Sequence, residues 1–173
     1  MLTASDAYLF GFIILIIAEI FLLIKKVPFK RNFLFATLII YIVLVLSVTI
    51  FPIPFQIDGY DFEYNFIPTA SIISEFSFGL SSAIRTVGGN ILMLVPFGVL
   101  LPLISKNKSF LNALIFSAVF SVSIEILQFI IGLLIGYRYR QVDIDDLLLN
   151  ILGAVIGYLI YKIIPKKLKA LFE

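Results

Sequence analysis

The chain has neither cysteine nor histidine among its 173 residues. The first absence removes disulfides and thiol nucleophiles, the second removes imidazole bases, and together they remove Cys/His zinc sites. Charge is scarce as well. Asp, Glu, Lys and Arg make up 14% of the residues against 61% hydrophobic, with a mean hydropathy of +1.12. That leaves too little polar surface to clothe a water-soluble globule of this size. The composition therefore specifies an integral membrane protein, and no nucleic-acid partner is expected. Any chemistry falls to carboxylates, amides, hydroxyls and guanidiniums.

A helix needs about 20 apolar residues to cross the hydrocarbon core. Five runs qualify, at approximately 7–24, 33–53, 86–104, 110–136 and 147–164. The first has no basic leading region or small-residue cleavage site and is expected to be a retained helix. In the fourth, Gly132 and Gly136 predict a tilt or break near its end. Between the second and third runs, Ile72, Phe76, Leu80 and Ala83 recur at helical spacing, with serines and Glu75 between them. This pattern predicts an amphipathic helix in the outer interface or dipping back into it. The expected fold is an all-α polytopic membrane helical bundle forming one domain over residues 1–173.

Lys25, Lys26, Lys30, Arg31, Lys106, Lys108, Lys162, Lys166, Lys167 and Lys169 fall on one side of these spans. The other side receives Arg85, Arg138 and Arg140 with most of the acids. By the positive-inside rule the N-terminus is expected outside and the C-terminus in the cytoplasm. The charged stretch "YRYRQVDIDDLLLN", residues 137–150, would then be extracytoplasmic.

Lipid makes polar side chains expensive, so those inside the spans are informative. Glu19 lies close enough to the cytoplasmic end to snorkel or pair with Lys25. Glu125 shares a helical face with Ser121 and Gln128, at offsets of four and three. On the fifth span Asp143, Asp146, Asn150, Gly153 and Gly157 form a stripe, polar above and small below, where another helix can approach. Asp145 and Asp146 also suit the helix macrodipole in its first turn, which accounts for one aspartate more readily than for three. The third span offers Arg85 at its outer end, Gly88 and Gly89 for close packing, Asn90 one turn below, and a kink predicted at Pro96 and Gly98. A guanidinium there would present paired donors to a phosphate or carboxylate.

"YNFIPTASI" at 64–72, "NILMLVPFG" at 90–98, "EILQ" at 125–128 and "RQVDIDDLLLNILGAVIGY" at 140–158 together resemble the VanZ family of bacterial membrane proteins. The resemblance covers roughly 64–164, and the first two spans do not contribute to it. It implies a multi-pass protein of the bacterial cell membrane, in a family associated with resistance to the lipoglycopeptide teicoplanin. The positions that match the family are Asn90, Pro96, Gly98, Glu125, Gln128, Arg140, Asp143, Asp145, Asp146, Asn150, Gly153 and Gly157.

Three function classes stay open. The first is an envelope protein whose outward pocket binds a lipid headgroup or lipid-linked cell-wall precursor, through Arg85, Asn90, Glu125, Gln128, Arg138, Arg140, Asp143, Asp145, Asp146 and Asn150. The second is a membrane enzyme acting on such a precursor, with Glu125 and Asp146 as acid or base. In the third, the cluster only assembles the helices. The sequence requires no cofactor. A divalent cation on Asp143, Asp146 and Glu125 would be a hard ion, Mg²⁺ or Ca²⁺, although the pattern lacks the glycine and terminal glutamate of a Ca²⁺ loop.

Overall fold

The five apolar runs fold as five long helices in a computed structural model that describes residues 1–54, 64–135 and 140–170. Two of them, α1 (Ala4–Ile24) and α2 (Phe29–Thr49), form an antiparallel hairpin. The chain then passes through β1 (Tyr64–Asn65) into a short α3 (Ala70–Ser77). The third span runs from Leu80 to Ile104 and joins α4 (Leu80–Ala83), a π-helical turn (Ile84–Gly88) and α5 (Gly89–Ile104). It is followed by α6 (Phe110–Ile135), β2 (Val142–Asp143), α7 (Ile144–Ile163) and a terminal turn, α8 (Lys166–Lys169). All five long helices have the length and composition to cross a bilayer, so the fold is an all-α membrane bundle.

The bundle is organised around α7, and its glycine stripe explains why. A Cβ at Gly153 would stand 1.9 Å from Ile91 O, and one at Gly157 would stand 2.1 Å from Val95 O. Gly98 of α5 makes the reciprocal approach, with its missing Cβ 2.1 Å from Ala154 O. Only hydrogen fits between these backbones, which lets α5 and α7 pack closely where lipid supplies no hydrophobic drive. Beside this seam Leu94, Phe97 and Ala154 are buried, and Phe97 stacks on Phe120 of α6 with centroids 4.9 Å apart. The α5 helix continues through Pro96 and Pro102, a disruption that membrane helices accommodate through their neighbours.

Gly88 and Gly89 behave differently from what their spacing predicts. Nothing lies within 4 Å of a Cβ at Gly89, and Gly88 would meet only its own helix, at Ile84. They do not mediate helix packing; Gly89 borders a cavity. The amphipathic pattern from Ile72 to Ala83 is likewise not one helix. Gly79, at φ +111°, breaks it, so Ile72 and Phe76 belong to α3 while Leu80 and Ala83 begin the third span. The fourth span passes Gly132 without interruption and is described as far as Ile135; Gly136, together with Arg138, lies outside the described residues.

The ends of the bundle differ in character. At one, the loops and helix ends carry the ten lysines and arginines between residues 25 and 31, 106 and 108, and 162 and 169. Glu19 is near that end, where its Oε2 accepts from Asn32 Nδ2 of α2 at 2.6 Å rather than pairing with Lys25. At the opposite end, Leu2 and Ile53 exchange backbone hydrogen bonds, and β1, α3 and the start of α7 converge.

Candidate functional site

The joint that holds α3 against α7 is built from two aspartates. Asp143 is the N-cap of α7 and accepts from Asp145 N at 2.9 Å. Its carboxylate also accepts from Asn65 Nδ2, at 2.8 Å, and from Ser71 Oγ. Beside it, Tyr64 and Asn65 pair in parallel with Val142 and Asp143. Asp145 is 1% exposed and faces the start of α3. It accepts from the backbone N–H of Thr69 at 2.6 Å, of Ser71 at 2.9 Å and of Ile72 at 3.3 Å. These are the orphan donors of a helix N-terminus, and a carboxylate satisfies them while meeting the positive end of the helix dipole. Thr69 is held here at φ +71°, a conformation costly for a β-branched residue.

Capping therefore accounts for two of the three aspartates, where one was expected. The sequence could not show that the second cap is made in trans, on a helix more than 70 residues earlier. Asp145 does not border the cavity described next, and Asp143 borders it with its acceptor capacity largely committed.

Below the joint lies a cavity of about 680 Å³. It brings together Arg85, Asn90, Glu125, Gln128, Arg140, Asp143, Asp146 and Asn150, contributed by the third span, α6 and the approach to and first turns of α7. Asn90 Nδ2 donates to Asp146, and Gln128 Nε2 donates to Thr49 O at 2.9 Å, capping the C-terminus of α2. Arg140 Nη2 reaches the same helix end, with Val48 O at 3.2 Å and Phe51 O at 3.5 Å. A cation there suits the helix dipole, so part of the Arg140 donor set is committed to structure. Arg85, on the π-helical turn, is exposed and has no hydrogen-bond or ion-pair partner among the described residues.

Two features give the cavity its chemistry. Glu125 accepts one hydrogen bond, from Asp143 N at 3.2 Å. Asn150 is 1% exposed and donates Nδ2 to Ser121 Oγ at 2.9 Å, while its Oδ1 is buried with no hydrogen-bond partner. A buried polar atom left unpaired costs about 1–3 kcal/mol, which a bound group would recover. Among the described residues no group of three His, Cys, Asp or Glu is arranged to hold a metal ion. For Asp143 the reason is local: its oxygens are turned to Asn65, Ser71 and the α7 amide.

Several lining residues were not singled out from sequence. Ser71 and Glu75 of α3 face the cavity, as do Thr86, Gln141, and Tyr41 and Thr49 of α2. Ser71 and Glu75 are four apart and so share a face, a signal obscured by the apolar pattern on the opposite side. Behind Glu125 runs a smaller groove of about 340 Å³, lined by Phe66, Val122, Ile126, Phe129, Ile144 and Leu147, and it shares Glu125 and Asp143 with the cavity.

In comparison with known proteins, a family model described as VanZ/LLP1 matches residues 38–165. Protein VanZ of Enterococcus faecium is 26% identical over 124 residues, covering 72% of this chain and 70% of that protein. No solved structure matches. The family match begins inside α2, earlier than the resemblance read from the motifs. Within that added stretch, Tyr41, Leu44, Val45, Val48 and Thr49 of α2 form one wall of the cavity.

Proposed function

Since the chain belongs to the VanZ/LLP1 family, we propose that it is a cell-envelope membrane protein whose polar cavity faces the extracytoplasmic side and binds the headgroup of a lipid or lipid-linked cell-wall component. The gathering of ten of its 13 lysines and arginines at the opposite end supports that orientation. One observation carries the binding reading: Asn150, whose buried Oδ1 has no partner, is among the residues lining a cavity whose volume, about 680 Å³, suits a small-molecule ligand. A cluster serving assembly alone would be expected to close on itself, as Asp143 and Asp145 do.

In this reading the protein holds an amphiphile in the outer leaflet and lowers the access of a lipid-anchored drug to its target, with protection against teicoplanin as the phenotype. Lipid analysis of the purified chain tests it. The expected result is a headgroup class retained through extensive washing and lost in Gly89→Leu, which fills the cavity at a position where an added Cβ meets nothing within 4 Å. Equal retention by a folded Gly89→Leu protein would refute binding in the cavity. A retained lipid with a chemically altered headgroup would replace binding with catalysis.

A further inference from the structure

Within the headgroup-binding reading, the polar atoms of the cavity select among headgroups. Each of three amide NH₂ groups on the cavity has one of its two donors in use: Asn90 Nδ2 on Asp146, Gln128 Nε2 on Thr49 O and Asn150 Nδ2 on Ser121 Oγ. The larger reserve is acceptor capacity. Glu125 and Asp146 each receive one hydrogen bond among the described residues, and a carboxylate can accept about four. Asn150 Oδ1 receives none. The charge balance points the same way. Among the described residues, four carboxylates, from Glu75, Glu125, Asp143 and Asp146, border the cavity against the two guanidiniums of Arg85 and Arg140.

A site with surplus acceptors and a formal excess of carboxylates over guanidiniums favours a cationic donor. A metal ion would need oxygens converging to about 2.0–2.6 Å on one point, an arrangement that no group of three acidic, His or Cys residues offers among the described residues. A primary ammonium instead carries three N–H donors and is satisfied by acceptors spread around it. Arg85 adds, on the same cavity, a guanidinium with no partner among the described residues, fitted to a phosphate. The apolar groove that meets the cavity at Glu125 and Asp143 is suited to a hydrocarbon chain.

We infer that the ligand is a zwitterionic lipid with a primary ammonium, of the phosphatidylethanolamine class: ammonium among Glu125, Asp146 and Asn150 Oδ1, phosphate at Arg85, and one acyl chain in the groove beside α6 and α7. This reading rests on the headgroup-binding proposal and is separable from it.

The test is native mass spectrometry of the detergent-purified full chain with an equimolar mixture of four dioleoyl lipids: phosphatidylethanolamine, N-acetyl-phosphatidylethanolamine, phosphatidylcholine and phosphatidylglycerol. The expected result is retention of phosphatidylethanolamine about tenfold above the others, a ratio within reach of one charge-assisted hydrogen bond. Glu125→Gln and Asp146→Asn should erase the preference, whereas Arg85→Gln should lower phosphatidylethanolamine and phosphatidylglycerol together. Equal retention of phosphatidylethanolamine and its N-acetyl derivative by the unaltered chain overturns the inference without reference to any variant. If phosphatidylglycerol is retained and Gly89→Leu releases it, headgroup binding stands and the ammonium assignment falls. If none of the four is retained, the ammonium assignment falls, while headgroup binding is decided by the lipid that copurifies with the chain and its loss in Gly89→Leu.

Discussion

Replacing Asp145 by Asn should detach α3 while leaving the five long helices in place. The carboxylate takes the Thr69 amide on Oδ1 and the Ser71 and Ile72 amides on Oδ2. An asparagine must turn its NH₂ towards one of these sets, and in the less costly orientation it gives up Thr69 alone. That loses a charge-assisted bond of about 1.5–3 kcal/mol, and the two surviving bonds weaken to roughly half, since a neutral acceptor is the weaker partner. The sum runs from about 3 to 6 kcal/mol, and the long 3.3 Å bond from Ile72 N puts it at the lower end, about 3 kcal/mol, against the docked state of α3. Because 1.36 kcal/mol corresponds to a factor of ten, hydrogen exchange at amides 69–72 should accelerate on the order of 100-fold. Amides in the α5–α7 seam, such as those of Leu94 and Ala154, should keep their protection. An Asp145→Asn protein with unchanged exchange at 69–72 would refute the reasoning and show that the β1–β2 pairing and Asp143 suffice to hold α3.

The remaining expectations concern packing, orientation and the cavity. Gly153→Ala places a Cβ 1.9 Å from Ile91 O and should sharply lower folded yield, whereas Gly89→Ala, with nothing within 4 Å of its Cβ, should be neutral by thermal melting. Ser74→Cys in this cysteine-free chain should react with an impermeant thiol reagent in intact cells, and Asn107→Cys should not; the opposite labelling pattern would put the cavity on the cytoplasmic side. Gln128→Leu removes a 2.9 Å bond to Thr49 O and should cost about 1 kcal/mol, read as a lower midpoint of detergent-induced unfolding. Glu125→Gln, compared at equal membrane levels because small stability losses change abundance, should abolish teicoplanin protection; full protection would remove the charge from the function.

Composition and run length were enough to specify a membrane bundle of five helices, because hydrocarbon thickness imposes the length and the cost of exposed polarity imposes the composition. The stripe of Asp143, Asp146, Asn150, Gly153 and Gly157 was legible for the same kind of reason, a helical period applied within one segment. Pairings between distant segments were not legible. That Asp145 would serve the amides of α3 rather than a ligand depends on a contact across 74 residues between Asp145 and Ser71, and no local periodicity encodes it. The same holds for the contrast between glycines. Gly153 and Gly89 are alike as letters, and only the packed helices decide that one touches a neighbouring backbone while the other opens on a cavity. Sequence determines which segments enter the bilayer and which faces are polar; the tertiary structure decides which polar atoms satisfy one another and which, like Asn150 Oδ1, have no hydrogen-bond partner among the described residues.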